Sequence, residues 1–223
     1  MKIRKNFIIS GVLFLLFLLF TILVMEIDVR PVGPQQSAVG LASVNLWFHD
    51  SIGVHLVWYH ITDWLGVTAI LTALGFGVLG LLQSVKRKSI LKADKDIIAL
   101  GIYYVVVMAV YVFFEICIVN YRPVLMEGKL EASFPSSHTL ITLCIMVTAM
   151  MQFHRRIRRK GLRLAAQGVS AGIIAVTIAG RVISGVHWFT DILSGVLLAG
   201  ALIMLYYAVI NNMQRKKQSG IKF

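Results

Sequence analysis

Three short stretches of polar residues interrupt a chain that is otherwise strongly apolar. They are Asn120-Tyr121-Arg122-Pro123, then Ser133-Phe134-Pro135-Ser136-Ser137-His138, then the segment 180–191 with Arg181, His187 and Asp191. Polar groups set among long apolar runs are costly to bury, and they usually serve a function. Their residue types suit one chemistry in particular, which is the binding and transfer of a phosphoryl group.

The second stretch has the composition of an anion-binding helix start. The N–H groups in the first turn of a helix lack partners and, together with the helix dipole, attract anions. We expect Ser133 to cap this helix and Pro135 to fit in its first turn. Ser136 and Ser137 then add hydroxyl donors for a phosphate, and His138 stands beside them with a side chain suited to proton transfer.

The third stretch pairs an imidazole with a carboxylate. His187 and Asp191 are four residues apart, so on a helix they would share one face. A carboxylate behind an imidazole fixes its tautomer and leaves the other ring nitrogen as a nucleophile. Arg122 and Arg181 offer planar guanidinium groups that match phosphate oxygens. Each feature alone is common in structural roles, but together they predict a phosphate site with a nucleophile and a separate acid, His138.

The composition indicates what kind of protein carries these residues. Of the 223 residues, 58% are hydrophobic and 14% are charged, whereas about 25% are charged in a typical soluble domain. The net charge of +12 could favour nucleic acid as a partner. However, the cations form short clusters between apolar runs, which is typical of membrane topology and argues against nucleic-acid binding.

Six apolar stretches reach the roughly 20 residues that a membrane-spanning helix needs. They cover residues 7–25, 64–82, 97–119, 135–153, 164–183 and 188–210. None alternates with period two, and open sheet edges cannot be satisfied in lipid, so strands are not expected. The sequence therefore predicts an all-α, polytopic membrane helix bundle with six transmembrane helices, in a single domain covering residues 1–223.

The basic clusters orient this bundle with both termini cytoplasmic, by the positive-inside rule. The clusters assigned to the cytoplasmic side are Lys2, Arg4 and Lys5; Lys86, Arg87, Lys88, Lys92 and Lys95; Arg155, Arg156, Arg158, Arg159, Lys160 and Arg163; and Arg215, Lys216, Lys217 and Lys222. The three polar stretches then meet on the outer face. The first run could instead be a signal peptide, but its length favours a retained anchor.

Residues 26–63 are predicted to form an interfacial segment along the outer surface. Trp and Tyr favour the water–lipid boundary, and the segment contains Trp47, Trp58 and Tyr59. It also holds three histidines whose spacing matches no metal motif. We therefore expect interfacial histidines and no metal site; the residues concerned are His49, His55 and His60.

Taken together, the motifs resemble those of the type 2 phosphatidic acid phosphatase superfamily, which also includes vanadium haloperoxidases and class A bacterial acid phosphatases. The family pattern is Lys-x6-Arg-Pro, Pro-Ser-Gly-His and Ser-Arg-x5-His-x3-Asp. This chain reads Glu115-x6-Arg122-Pro123, Pro135-Ser136-Ser137-His138 and Gly180-Arg181-x5-His187-x3-Asp191. The six-span layout is similar too, so the resemblance covers most of the chain.

The resemblance implies a phosphohistidine mechanism that needs no metal or other cofactor. His187 would attack phosphorus, Asp191 would orient His187, and His138 would protonate the leaving group and then activate water. The phosphoryl oxygens would be held by nearby N–H groups and by the side chains of Arg122, Arg181 and Ser136.

Three positions depart from the family pattern. Ser137 replaces Gly, Gly180 replaces Ser with the loss of a hydroxyl, and Glu115 stands where the family has a phosphate-binding Lys. A carboxylate facing a phosphate would repel it. Two hypotheses stay open: Glu115 pairs with Arg122 or Arg181 and positions a guanidinium, and Lys129 on the outer loop supplies the missing cation.

The favoured function is a hydrolase that removes the terminal phosphate of a lipid phosphate or pyrophosphate at the extracytoplasmic face, in a bacterial cell membrane. Phosphatidic acid, phosphatidylglycerol phosphate and undecaprenyl pyrophosphate all fit, and the expected partners are this substrate and the membrane lipids. One alternative is a lipid phosphotransferase or headgroup transferase on the same scaffold, and another is a non-catalytic lipid-binding protein. The haloperoxidase branch is disfavoured because those enzymes are soluble.

Overall fold

The computed structural model describes residues 2–219 as a bundle of seven α-helices, with no β-strand among those residues. The helices are α1 (Lys2–Glu26), α2 (Ala42–Ile52), α3 (Leu56–Lys86), α4 (Lys95–Ile116), α5 (Ser137–Arg156), α6 (Lys160–Ser184) and α7 (Phe189–Ser219). The all-α prediction is confirmed. Lys222, one of the cations assigned to the cytoplasmic side, lies outside the described residues.

Within the described part of the chain, five helices are long and apolar enough to cross a membrane. They are α1, α3, α4, α6 and α7, so the protein is an integral membrane protein. The predicted span 135–153 corresponds to α5, which does not reach the same apolarity. Its polar side chains are nevertheless buried, because neighbouring helices surround α5; they include Thr139, Thr142, Thr148 and Gln152.

The central helix of the bundle is α5, which packs against α3, α4, α6 and α7, while α1 lies along α7. The hydroxyl of Ser10 on α1 donates to the carbonyl of Ala201 on α7 at 2.8 Å. Near the start of α5, Phe134 contacts two aromatic rings, Phe17 on α1 and Phe114 on α4, with ring centroids 6.3 and 6.2 Å away. These aromatic rings form an apolar cluster at the Ser133–His138 stretch.

Two helix boundaries differ from the sequence prediction. Helix α3 begins at Leu56 rather than at residue 64, so residues 56–63 of the predicted interfacial segment are helical; their place at the interface stays a prediction. The apolar pattern missed this first part because it carries polar residues such as Thr62, which is fully buried inside the bundle. Helix α4 ends at Ile116, which places Asn120 in a loop rather than at a helix end.

The short helix α2 supports the start of α7. The amide of Asn45 donates to the hydroxyl of Thr190 at 3.0 Å, and its oxygen accepts from the Thr190 N–H at 3.2 Å. Phe48 stacks on Phe189 with ring centroids 3.9 Å apart. These contacts satisfy an N–H in the first turn of α7, which would otherwise lack a partner, and fix the turn that precedes α7.

Candidate active site

A hairpin between α4 and α5 carries the first polar stretch. The Arg122 N–H donates to the Glu131 carbonyl at 3.0 Å, and the Ser133 N–H donates to the Asn120 carbonyl at 2.9 Å. The indole of Trp188 donates to the Tyr121 carbonyl at 2.8 Å. Arg122 and Ser133 therefore lie on opposite limbs of one hairpin, which is fastened to the turn between α6 and α7.

That turn depends on Gly185, which ends α6 with a φ of 64°. This left-handed conformation favours glycine, and a side chain here would also collide with the backbone carbonyl of Gly53. The chain then passes through His187 before α7 begins at Phe189. The prediction that His187 and Asp191 share a helix face is therefore wrong, since only Asp191 belongs to the helix.

A serine links the two residues instead. The Ser133 hydroxyl donates to Asp191 Oδ2 at 2.5 Å and lies 2.9 Å from Nδ1 of His187. Asp191 Oδ2 is 4.0 Å from the same ring nitrogen, which is too long for a direct hydrogen bond. The arrangement is thus a relay from Asp191 through Ser133 to His187.

The relay fixes the tautomer of His187. Asp191 also accepts from the Trp188 N–H at 3.0 Å and from the amide of Asn120 at 3.3 Å, so it acts only as an acceptor, as an ionised carboxylate does. The one hydroxyl proton of Ser133 goes to Asp191, so its oxygen must accept from Nδ1–H of His187. Nε2 of His187 then carries the lone pair that a nucleophile needs.

The start of α5 is built differently from the sequence expectation. Ser136 is the N-cap residue and Ser137 is the first helical residue, so Ser133 and Pro135 both precede the helix. The Ser136 N–H donates to the Asp191 carbonyl at 2.9 Å, and its fully buried hydroxyl accepts from Thr139 at 3.1 Å. The start of α5 is therefore docked directly on the start of α7.

His138 is held against α3 by two residues of one helix face. Nε2 of His138 lies 2.7 Å from Asp63 Oδ1. Gly66, three residues further along α3, allows the ring to approach, since a Cβ there would stand 3.0 Å from the ring carbon Cδ2. The other ring nitrogen of His138, Nδ1, is buried without a hydrogen-bond partner among the described residues.

Arg181 shares the same carboxylate. Its side chain is fully buried at the end of α6, and its Nη2 donates to Asp63 Oδ1 at 3.1 Å. The guanidinium carbon also lies 4.9 Å from the ring centroid of Tyr59, a cation–π contact. Asp63 and Tyr59 both lie on the part of α3 that sequence reasoning assigned to the interface.

Several buried polar atoms converge without partners at this point. Within residues 2–219 they are Nε and Nη1 of Arg122, Nε and Nη1 of Arg181, and Nε2 of His187. Arg122 forms an ion pair with Glu131 at 3.3 Å whose geometry is too poor for a hydrogen bond. Burial lowers the pKa of His187 well below its usual range, and the nearby charges of Arg122 and Arg181 lower it further. His187 is therefore neutral at neutral pH.

The positions that depart from the family pattern have different surroundings. Glu115 shares a small pocket with Ser137 and forms no ion pair within 4 Å with either arginine among the described residues; its pairing with a guanidinium stays a prediction. Lys129 lies at the exposed tip of the hairpin, where its N–H and carbonyl bond to Met126, and the structure does not bring its side chain to the arginines. Its role as a phosphate ligand stays a prediction.

Gly180 has a steric explanation. A Cβ at this position would stand 2.5 Å from Cγ2 of Thr62 and 3.2 Å from the ring of Trp58, both on α3. The serine of the family pattern would not fit between α6 and α3 here without a shift of the helices. The early start of α3 therefore accounts for the missing hydroxyl.

Similarity to known proteins identifies the family and the fold of the chain. The sequence profile of the PAP2 superfamily matches residues 97–215, which is more than half of the chain. The chain belongs to the PAP2 superfamily. Membership of this family supports a phosphatase embedded in the membrane.

The fold of this PAP2 protein is similar to a solved structure, that of a transmembrane PAP2-type phosphatidylglycerolphosphate phosphatase from Bacillus subtilis. The TM-score is 0.65 at 16% sequence identity, and the alignment covers 92% of this chain and 96% of the other. At this identity the likeness shows the shared fold. No curated protein sequence matches the chain significantly.

Sequence reasoning missed the roles of Ser133 and Asp63. Ser133 stood inside a recognised stretch, but its place between His187 and Asp191 depends on how the hairpin folds back. Asp63 lies far along the chain from all three motifs, and the only available signal was a carboxylate beside an apolar run. Among the described residues, no group of three or more His, Cys, Asp or Glu side chains could hold a metal ion.

Proposed function

We propose that this PAP2 protein hydrolyses the terminal phosphate of a lipid phosphate or pyrophosphate through a phosphohistidine at His187. The observation that carries the proposal is that Arg122 and Arg181 keep buried donors without partners close enough to His187 for their charges to act on it, while its Nε2 is also unpartnered. Burying charged donors without partners costs several kcal/mol (roughly 2–5). A phosphoryl group would satisfy these donors and would present phosphorus to the nucleophile.

In the first step, Nε2 of His187 attacks phosphorus and the bond from phosphorus to the lipid oxygen breaks. The leaving oxygen takes a proton from His138, whose Nδ1 is the ring nitrogen not engaged by Asp63. The arginines stabilise the charge that develops on the phosphoryl oxygens. Positive charge that forms on His187 is stabilised by Asp191 through Ser133, without movement of heavy atoms.

In the second step, water attacks the phosphohistidine. His138, now neutral, accepts a proton from this water, and the bond from phosphorus to Nε2 of His187 breaks. Inorganic phosphate is released and both histidines return to their starting states. We expect the hydroxyl of Ser136, and the hydroxyl and N–H of Ser137, to assist in holding the phosphate at the start of α5.

We further propose that the whole chain, residues 1–223, is one domain with six spans, α5 being the sixth, and that both termini are cytoplasmic. A helix of 20 residues is about 30 Å long, which matches the hydrocarbon thickness. The basic clusters then lie inside, and the active site faces the outer side of a bacterial cell membrane. Residues 26–63, with α2 and the start of α3, remain the proposed interfacial segment.

Cysteine labelling in intact cells tests this orientation. In a Cys117→Ala background, Lys129→Cys on the hairpin tip should react with a membrane-impermeant maleimide added outside. Arg158→Cys, at the opposite end of the bundle, should react only after the membrane is permeabilised. The reverse pattern would place the active site inside the cell and would overturn the proposed topology.

The activity is tested by phosphate release from a panel of lipid phosphates and pyrophosphates in detergent containing EDTA. Wild type should release phosphate, and His187→Ala should not. His154→Ala is the matched control, because this exposed histidine lies at the far end of α5. If the reaction yields a phosphorylated acceptor instead of free phosphate, the transferase alternative is favoured. No reaction with any substrate by folded protein would favour a non-catalytic, lipid-binding role.

A further inference from the structure

A groove lies between α4 and α7, at the end of the bundle opposite to the candidate active site. Its volume is about 360 Å³, and its walls are almost wholly apolar. The side chains that line it include Ile98, Ile102 and Val106 on α4, and Leu205 and Val209 on α7. Their spacing of three or four residues places each set on one face of its helix.

The length of the groove matches one leaflet of a bilayer. Its lining extends from Lys95 to Val106 on α4 and from Leu202 to Met213 on α7. At a rise of 1.5 Å per residue, each of these stretches is about 17 Å long. Half of the hydrocarbon core measures about 15 Å, so one extended acyl chain would fill the groove from the interface to the middle of the membrane.

At the end farthest from the candidate active site, the groove opens into a second cavity of about 790 Å³, which contains several charged side chains and is called the polar cavity below. Lys95 and Met213 line both, so the apolar groove and the polar cavity are continuous. The polar cavity also contains the side chains of Arg87, Arg155 and Gln214 and two carboxylates, Asp94 and Asp96. The groove and the polar cavity together therefore form an apolar channel that ends at charged side chains.

The two carboxylates are already engaged. Asp94 accepts from Arg87 at 2.9 Å and from Arg156 at 3.1 Å. Asp96 accepts two hydrogen bonds from Arg156, each of 3.0 Å. Lys95 forms no ion pair with a described residue. Arg155 forms a long ion pair of 3.9 Å with Asp96 and donates to the amide oxygen of Gln214 at 3.1 and 2.9 Å. Positive charge therefore exceeds negative charge at the mouth of the groove.

A chain of hydrogen bonds makes this mouth rigid. Arg156 donates through Nε to the Gln152 amide oxygen at 3.0 Å, and the Gln152 amide nitrogen donates to the Tyr206 hydroxyl at 2.9 Å. Tyr206 in turn lines the apolar groove. Arg156, the neighbour of Arg155 on α5, is thus joined to the wall of the groove by hydrogen bonds.

We propose that the groove and cavity bind one phospholipid with an anionic headgroup, its phosphate at Lys95 and Arg155 and one acyl chain between α4 and α7. Basic pockets between membrane helices recognise anionic headgroups in this way. The charge at the mouth distinguishes this lipid from the zwitterionic lipids that surround any membrane protein. The inference rests on the fold and the charges, and does not depend on the proposed activity.

The test is native mass spectrometry of purified, delipidated protein titrated with phosphatidylglycerol or phosphatidylcholine. Excess inorganic phosphate is present to compete at the candidate active site. Wild type should retain one phosphatidylglycerol in preference to phosphatidylcholine. The double variant Lys95→Gln/Arg155→Gln removes two cations near the membrane surface, so phosphatidylglycerol binding should weaken about thirtyfold.

Two further variants complete the test. Ala99→Phe should block the groove and weaken the binding of both lipids. The control Arg158→Gln/Arg159→Gln makes the same change of charge beside α6 and should bind both lipids as wild type does. An elution volume equal to that of wild type shows that each variant is folded. Equal binding of the two lipids, undiminished binding to the first double variant, or a lipid-free dimer joined through α4 and α7 would each overturn the proposal.

Discussion

Oδ1 of Asp63 lies 2.7 Å from Nε2 of His138, so a carboxylate from α3 holds the residue proposed as the acid. The same oxygen accepts from Nη2 of Arg181 at 3.1 Å. One atom thereby sets the relative position of the proton donor and of a guanidinium that would hold the phosphate. None of the family motifs of this chain includes Asp63, which makes it a positioning residue open to test.

Asp63→Asn should lower kcat for a lipid phosphate by roughly tenfold to a hundredfold, since a correctly placed acid contributes about 10²–10⁴-fold. The burst of p-nitrophenol from p-nitrophenyl phosphate, which reports the first step alone, should slow much less, because this leaving group departs without a proton. Asp50→Asn, a change at an exposed carboxylate on α2, is the control. A burst slowed as much as the turnover of the lipid phosphate would mean that Asp63 acts on folding or binding and not through the acid His138.

Ser133→Ala should slow the reaction roughly a hundredfold, because it interrupts the relay from Asp191 to His187. If Asp191 acts on His187 only through this hydroxyl, the double variant Ser133→Ala/Asp191→Asn should be no slower than the slower single variant. Phosphate release by the four proteins gives the double-mutant cycle. Multiplicative losses would contradict the relay and would require a direct contact between His187 and Asp191.

Gly180→Ser should lower the thermal stability of the detergent-solubilised protein, although it restores the residue of the family pattern. The new side chain would press on Thr62 and Trp58, and overpacking of this kind costs about 1–3 kcal/mol. Gly172→Ser on the same helix is the control, since a Cβ there meets nothing within 4 Å. Thr62→Ala should recover part of the loss; a Gly180→Ser protein as stable as wild type would show that α3 and α6 are loosely packed.

The buried, neutral state of His187 predicts how stability depends on pH. Its pKa is lowered by burial, so in the folded protein it stays neutral as the pH falls below 6.5, whereas in the unfolded chain it binds a proton. Because the unfolded state binds this proton and the folded state does not, His187 should lower the free energy of unfolding by up to about 1.4 kcal/mol for each pH unit below 6.5. His187→Ala should therefore lose less thermal stability than wild type between pH 7 and 5. If His187→Ala and the control His154→Ala follow the same curve as wild type, the burial of His187 is wrong.

The sequence predicted those parts of the fold that depend on local pattern. Long apolar runs located α1 and α4 to α7 closely, because a helix in lipid needs an unbroken apolar length. The start of α3 was missed because its first turns face protein, where Thr62 and Asp63 can be accommodated. For the same reason α5 could carry buried polar residues such as Thr142 and Gln152, since its partners are other helices rather than lipid.

In the candidate site, too, the sequence predicted what depends on local spacing and missed what depends on contacts between distant residues. Arg122, His138 and Arg181 could be named from their motifs, since the spacing within each motif is local. The relay through Ser133 and the support from Asp63 depend on contacts between residues 54 and 75 positions apart along the chain, which no spacing reveals. The structure also explains a departure that the motif left open, because Gly180 is required by the packing of α6 on α3.

The central claim is that His187 becomes phosphorylated, and trapping the intermediate tests it most directly. His138→Ala should still react with p-nitrophenyl phosphate, whose leaving group needs no acid, but should hydrolyse the phosphohistidine slowly. Rapid quenching at alkaline pH, where phosphohistidine is stable, followed by peptide mass spectrometry should then locate one phosphoryl group on His187. A burst of p-nitrophenol with no phosphoryl group on the protein, or with the group on another residue, would contradict the account.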